Sequence, residues 1–249
     1  MSHFASNRVI STRVDAVSPE ELQAWIEEAI EQGEPRGYVC FANAHTSVLA
    51  LDSTPFRDAT EAASLVAPDG APVAATLSLL LKRRATRCPG PKVMFRCLNQ
   101  CPHHRHFLLG STPENLEQIR ERFPYVDFVG TYSPPFGEAS PEEDAKQCAL
   151  INAAEPDILW IGLGAPKQEL WMHRNLPKLS VPLALGVGAA FDQLAGQKSP
   201  APPWMRDNGL EWLFRWIQEP RRLTGRYLRT NPRFLLHAGA QVLGSRAAS

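Results

Sequence analysis

The sequence predicts an α/β protein, a parallel sheet covered by helices on both faces and followed by a helical appendage. Three observations carry that prediction. Strand-like and helix-like segments alternate from about residue 18 to about residue 195, the order that builds a parallel sheet. Runs such as ILWIG and PLALG are apolar throughout rather than at alternate positions, as in strands buried on both faces. At Ser199 the composition changes: SPAPPW carries three prolines and cannot continue a regular element.

The elements follow in order. Ser18-Pro19-Glu20-Glu21 is a capping box with proline at the first helical position. The apolar residues of ELQAWIEEAIEQG recur at helical spacing, and the helix is expected to end on Gly33. YVCFA reads as a strand, with a new segment opening at Asn43. SLVA, residues 64–67, reads as a short strand, and PVAATLSLLLKRR, residues 72–84, as a largely buried helix. The second half repeats the theme. HFLLG is a strand with a helix opening at Ser111-Thr112-Pro113-Glu114. VDFVG is another, followed by the turn TYSPPFG and a second capping box at Ser140-Pro141-Glu142-Glu143. DILWIGLG leads into a helix near Pro166, and VPLALGVG is the last strand. Two units are expected: an α/β core over 1–198 and an Arg/Trp-rich helical appendage over 199–249.

Composition narrows the function classes. The 249 residues carry 26 basic and 26 acidic side chains, without the overall excess of a dedicated nucleic-acid binder. From Trp204 onward, eight arginines (206, 215, 221, 222, 226, 229, 233 and 246) stand against Asp207, Glu211 and Glu219, a local excess of five. Five cysteines without a C-x-x-C pair argue for a reducing compartment. The N-terminal residues show no apolar stretch typical of a signal peptide, and no run is long enough to span a bilayer. The expectation is a cytoplasmic protein, soluble or peripheral on the membrane.

Five constellations could carry chemistry. Pro68-Asp69-Gly70 follows a strand, where open α/β sheets bind ligands; Asp69 is either a general base or part of an ordinary Asp-Gly turn. Gly162 to Glu169 joins a buried strand to a helix through a glycine turn. Gly164, Lys167 and Gln168 would there hold a diphosphate at the helix N-terminus, or the segment is a tight turn without a ligand. In the same geometry one strand later, Asp192 either faces the cleft or caps a helix. In the tail, Arg215, Arg221, Arg222 and Arg226 alternate with Trp204, Trp212, Trp216 and Tyr227. That pattern suits phosphates or a lipid surface, or a packed helical pair with solvated arginines. Cys97, Cys101, His103 and His104 suggest zinc, but their spacing matches no common module.

Three blocks taken together, GLGAPKQELW, GVGAAFDQLAG and APPWMRDNGLEWLFRWIQEPRRLTGRYL, resemble the WecG/TagA/CpsF family, glycosyltransferase family 26. The resemblance runs from about Val39 to Tyr227, and TYSPPF looks like a branch associated with exopolysaccharide synthesis. It implies a Rossmann-like core whose C-terminal appendage helps close the active site. The implied activity is inverting transfer from a UDP-sugar to a polyprenyl-diphosphate-linked sugar, without a metal or other cofactor. The implied setting is peripheral, on the inner face of the cytoplasmic membrane, with homo-oligomers among relatives. By the same resemblance Asp69 is the base. Asn43, Arg87 and Gln168 match family positions, and Arg215, Arg221, Arg222 and Arg226 match the tail arginines. The chain departs from the family at Phe41, where threonine is common, at Ala71-Pro72 after the P-D-G motif, and at Gly225.

Overall fold

The computed structural model describes residues 4–32, 37–137, 139–207 and 209–247. Gly33, the expected end of the first helix, lies outside them, as do the side chains of Arg206 and Arg246. The chain opens with an antiparallel hairpin that the sequence reading did not anticipate, β1 (Ser6–Val9) and β2 (Thr12–Asp15). Next come α1 (Pro19–Glu31), β3 (Gly37–Ala42), α2 (Ala44–Asp52), α3 (Thr54–Glu61), β4 (Leu65–Pro68) and α4 (Ala71–Leu81). The middle contains α5 (Gly90–Gln100), β5 (His106–Gly110), α6 (Pro113–Arg122), β6 (Phe128–Tyr132) and α7 (Pro141–Ala154). The last part of the core is β7 (Ile158–Gly162), α8 (Lys167–Asn175), β8 (Leu183–Gly186) and α9 (Ala190–Leu194). The tail forms α10 (Pro203–Asp207), α11 (Glu211–Gln218) and α12 (Pro220–Ala247).

Six strands form one parallel sheet in the order β4-β3-β8-β7-β5-β6. Its side chains alternate between two cores, as the two-residue period requires. Val39, Phe41, Leu108, Trp160 and Leu185 face the core shared with α1, α5, α6 and α9. Tyr38, Cys40, Leu109, Ile161 and Ala184 face the one shared with α2, α4, α7 and α8. The helix after β3 thus lies on one face and the helix after β8 on the other. These strands are neighbours, so the sheet has its switch point between them, the place where such folds open a crevice at the carboxyl ends.

Local chemistry sets the boundaries. Ser18 accepts from the Glu21 amide, and Glu21 returns a carboxylate to the Ser18 amide. At α7 only half of the expected box forms. Ser140 accepts from the Glu143 amide, but the Glu143 carboxylate instead takes hydrogen bonds from Tyr132 and Gln147. The edge strand β4 is covered by the hairpin, whose buried Asp15 accepts the Val66 amide at 2.8 Å. This satisfies a donor that an open edge would leave unpaired.

The tail is docked. Phe234, 1% exposed, packs into the core lined by Val48, Val73 and Leu77. Arg233 makes two 2.7 Å hydrogen bonds to Asp52, and Gln241 bonds the backbone of Ile10 and Arg8 in the hairpin. No helix among the described residues is long and apolar enough to cross a membrane.

Candidate active site

The site begins with strand register. Ala42 of β3 pairs with Pro68 of β4, so Asn43 and Asp69 each stand one residue beyond the same rung. Adjacent strands lie about 4.8 Å apart, which brings these two side chains together. The Asp69 and Gly70 amides both donate to the Ala42 carbonyl, at 2.9 and 3.2 Å, so the turn is fixed against β3. A Cβ at Gly70 would lie 3.2 Å from both Asn43 Cα and Cβ, and glycine permits that approach.

Asn43 has two tasks. Its side-chain oxygen caps α2, accepting from the His45 and Thr46 amides, and its side chain also hydrogen-bonds the Asp69 carboxylate. Arg87 crosses the end of β4 and donates through Nε to the Asp69 carbonyl at 3.1 Å. Its guanidinium continues to Glu211 at 2.8 Å. Glu211 in turn accepts from Arg215, one helical turn on, at 2.6 Å.

Partial burial pushes the Asp69 carboxyl above its ordinary value, helped by Glu211 and opposed by Arg215, Arg87 and the Asn43 hydrogen bond. Burial also pushes Glu211 up, but the flanking Arg215 and Arg87 outweigh it and hold that carboxyl below its ordinary value. Two carboxylates in one cleft are thus driven in opposite directions, the separation that acid–base sites exploit.

The glycine turns lie on the neighbouring strand ends. Gly164 has φ +75°, a left-handed conformation that disfavours other residues. Gln168, expected to touch a nucleotide, instead turns inward and is 5% exposed. Its oxygen accepts the Gly164 amide at 3.1 Å, and its nitrogen donates to the Gly186 carbonyl at 2.6 Å and to Glu169 at 3.0 Å. It therefore ties the two turns together. Lys167 also departs from expectation: its Nζ donates to the Gly137 carbonyl in the Pro-Pro-Phe loop. Asp192 neither caps α9, whose N-cap is Ala189, nor stands free. It accepts from Asn115 at 3.1 Å and pairs with Lys198 at 2.5 Å.

Lys198 belongs to a cleft between the β8 turn and the tail, lined by Ala189, Gln193, Lys198, Glu211, Arg215 and Arg222 among others. Its free volume is only about 30 Å³, room for a water or two. Glu219 spans the far side, pairing with Lys198 at 3.3 Å and with Arg222. Arg226 packs half-buried near His45, whose ring is pushed down to about 4 by burial and by that arginine. Arg221 lies on the exposed face of α12, outside this cleft.

The zinc candidates form no such centre. Cys101 donates its thiol to Glu27, His103 and His104 pack ring on ring, and no metal-ready group of three His, Cys, Asp or Glu side chains occurs among the described residues.

Of the sequence candidates, the fold gathers Asp69, Asn43, Arg87 and Arg215 around one point and sets Arg222 and the Asp192–Lys198 pair beside it. Sequence reasoning missed Glu211 and Lys198. The available signal for Glu211 was an acid opening a helix four residues before Arg215, in a tail with an excess of arginine.

Comparison with known proteins gives the family. The model of the glycosyl transferase WecG/TagA/CpsF family matches residues 7–248. Relatives named N-acetylglucosaminyldiphosphoundecaprenol N-acetyl-beta-D-mannosaminyltransferase, from Staphylococcus aureus strains MW2 and MRSA252, are each 28% identical over 192 residues. Each alignment covers 75% of this chain and 74% of the relative. With a family match over nearly the whole chain, the protein belongs to the WecG/TagA/CpsF family of glycosyltransferases.

Proposed function

We propose that this glycosyltransferase moves a hexose-type sugar from a UDP-sugar to a polyprenyl-diphosphate-linked sugar, with inversion, in cell-surface polysaccharide synthesis. The observation that carries the reading is Asp69, a partly buried carboxylate held by Asn43 and flanked by Arg87 and Arg215 at the sheet's carboxyl edge. The names of the Staphylococcus aureus relatives support a polyprenyl-linked acceptor and an N-acetylhexosamine donor.

In this mechanism the acceptor hydroxyl gives its proton to Asp69 as its oxygen attacks the anomeric carbon. The bond from that carbon to the donor phosphate breaks, and UDP leaves with the electron pair. Arg87 and Arg215, with Arg222 beyond them, stabilise the developing negative charge. Arg226 would approach the carrier diphosphate. Asn43 keeps the base oriented, and Gln168 keeps the two turns in place.

The tail also supports peripheral attachment to the membrane. On α12, Leu235 and Leu236 are 64% and 72% exposed, close in sequence to Arg229 and Arg233, and on α10 Trp204 is 60% exposed; exposed apolar residues among arginines suit a membrane interface. UDP release from a panel of UDP-sugars, with and without a short-chain polyprenyl-diphosphate-GlcNAc, tests the whole reading. Acceptor-dependent release is expected from one donor. Release from none, with no UDP binding by calorimetry, would overturn it.

A further inference from the structure

In the cluster beside Asp69, the charges of Arg87 and Arg215 are matched by the carboxylates of Asp69 and Glu211. The Glu211 carboxylate spans the two arginines, with Oε2 on Arg87 at 2.8 Å and Oε1 on Arg215 at 2.6 Å. One arginine comes from the core and one from the tail, so this carboxylate also fastens α11 over the cleft. The pattern recurs next door, where Glu219 holds core Lys198 and tail Arg222. Each tail glutamate thus spans a core cation and a tail cation. Two anionic oxygens bridging two guanidinium groups reproduce the hydrogen bonding of a bound phosphate. A diphosphate entering while Glu211 stayed would make the cluster strongly net negative in a partly desolvated cleft, which is costly.

We infer that Glu211 is a built-in occupant of the diphosphate seat, one that an incoming nucleoside diphosphate displaces from Arg87 and Arg215. This rests on the reading that these arginines bind the donor diphosphate. The exchange leaves both guanidinium groups paired before and after binding. It couples substrate entry to a loosening of α11, because the displaced contact is one of those that tie that helix to the core, beside the Glu219–Lys198 pair.

The test is calorimetric titration of the full chain with UDP, and separately with inorganic pyrophosphate, for wild type, Glu211→Gln, Glu211→Asp and Asp52→Asn. The last removes a tail anchor on Arg233 away from the cleft. Glu211→Gln is expected to bind UDP about tenfold more tightly. That is the gain when the seat is otherwise occupied about nine-tenths of the time. Glu211→Asp, too short to span both arginines, should move the same way, so the test survives if one variant fails to fold. Asp52→Asn should match wild type. Unchanged or weaker UDP binding in the Glu211 variants, with wild type binding normally, would overturn the inference and leave the function reading intact. Equal tightening in Asp52→Asn would assign the effect to a loosened tail and also overturn it. Failure of every protein to bind UDP or pyrophosphate would bring down both readings.

Discussion

Asp69→Asn separates catalysis from folding. The substitution is isosteric, and the amide oxygen can still accept from Asn43, so the turn keeps its hydrogen bonds to Ala42. What disappears is the proton acceptor. A general base contributes about 10²–10⁴-fold, so turnover should fall by that factor, or about 3–5 kcal/mol in the barrier. The stability effect has the opposite sign. Because the folded state raises the Asp69 pKa, chiefly through burial, folding binds the proton more tightly than the unfolded chain does. Above the raised pKa the ionised carboxylate therefore detracts from stability. The neutral asparagine should melt at the same temperature as wild type or higher at pH 7. The assay pairs acceptor-dependent UDP release with thermal unfolding of both proteins. In wild type the acidic limb of kcat/KM should lie above the ordinary value for an aspartate, and lowering pH through it should silence the enzyme. Turnover within threefold of wild type would refute the base, and a large drop in Tm would show that Asp69 is needed for the fold.

Other expectations follow from the same geometry. Arg87→Ala loses a charge-assisted contact of about 1.5–3 kcal/mol, so UDP binding should weaken roughly 10- to 100-fold by calorimetry; Arg87→Lys should not restore it, since one ammonium cannot reach both the Asp69 carbonyl and a phosphate. His106 accepts from Trp160 Nε1 and bonds the Cys101 carbonyl, and burial pushes its ring down to about 4. The unfolded chain takes up this proton first, so about 3 kcal/mol of stability present at pH 7 should be lost between about pH 6.5 and 4. Denaturant unfolding across that range should show a shallower pH dependence in His106→Gln, and an unchanged slope would count against the assignment. Leu235→Ser with Leu236→Ser should cut co-sedimentation with anionic vesicles by roughly tenfold or more, since two leucines that are only partly covered by lipid still lose a fraction of the about 1.5–3 kcal/mol each contributes when fully buried. Equal binding would place the membrane contact elsewhere.

The sequence alone determined the layers and the strand ends on which Asn43 and Asp69 stand. Continuous apolar runs such as ILWIG can be stable only between two helical layers, and the order of strands and helices then requires a parallel sheet. The position of Asp69 was legible because a Pro-Asp-Gly turn after a strand lies at the carboxyl edge, while its role as base came only from the family resemblance. The hairpin β1–β2 was not legible. Its strands are four residues each, and its value lies in covering an edge that exists only once β4 is placed. Tertiary structure also decided which polar groups face the substrate side. Gln168 and Lys167 stand next to each other in sequence, yet one turns inward to two strand ends and the other reaches a distant loop, because a helix sends successive side chains about 100° apart. Glu211 is 142 positions from Asp69 in the sequence, and no local pattern links them. They meet because α12 buries Phe234 and Ala238 against the core, which draws α11 across the switch point. Burial of the tail's apolar face, rather than any motif, set the charges around the candidate base.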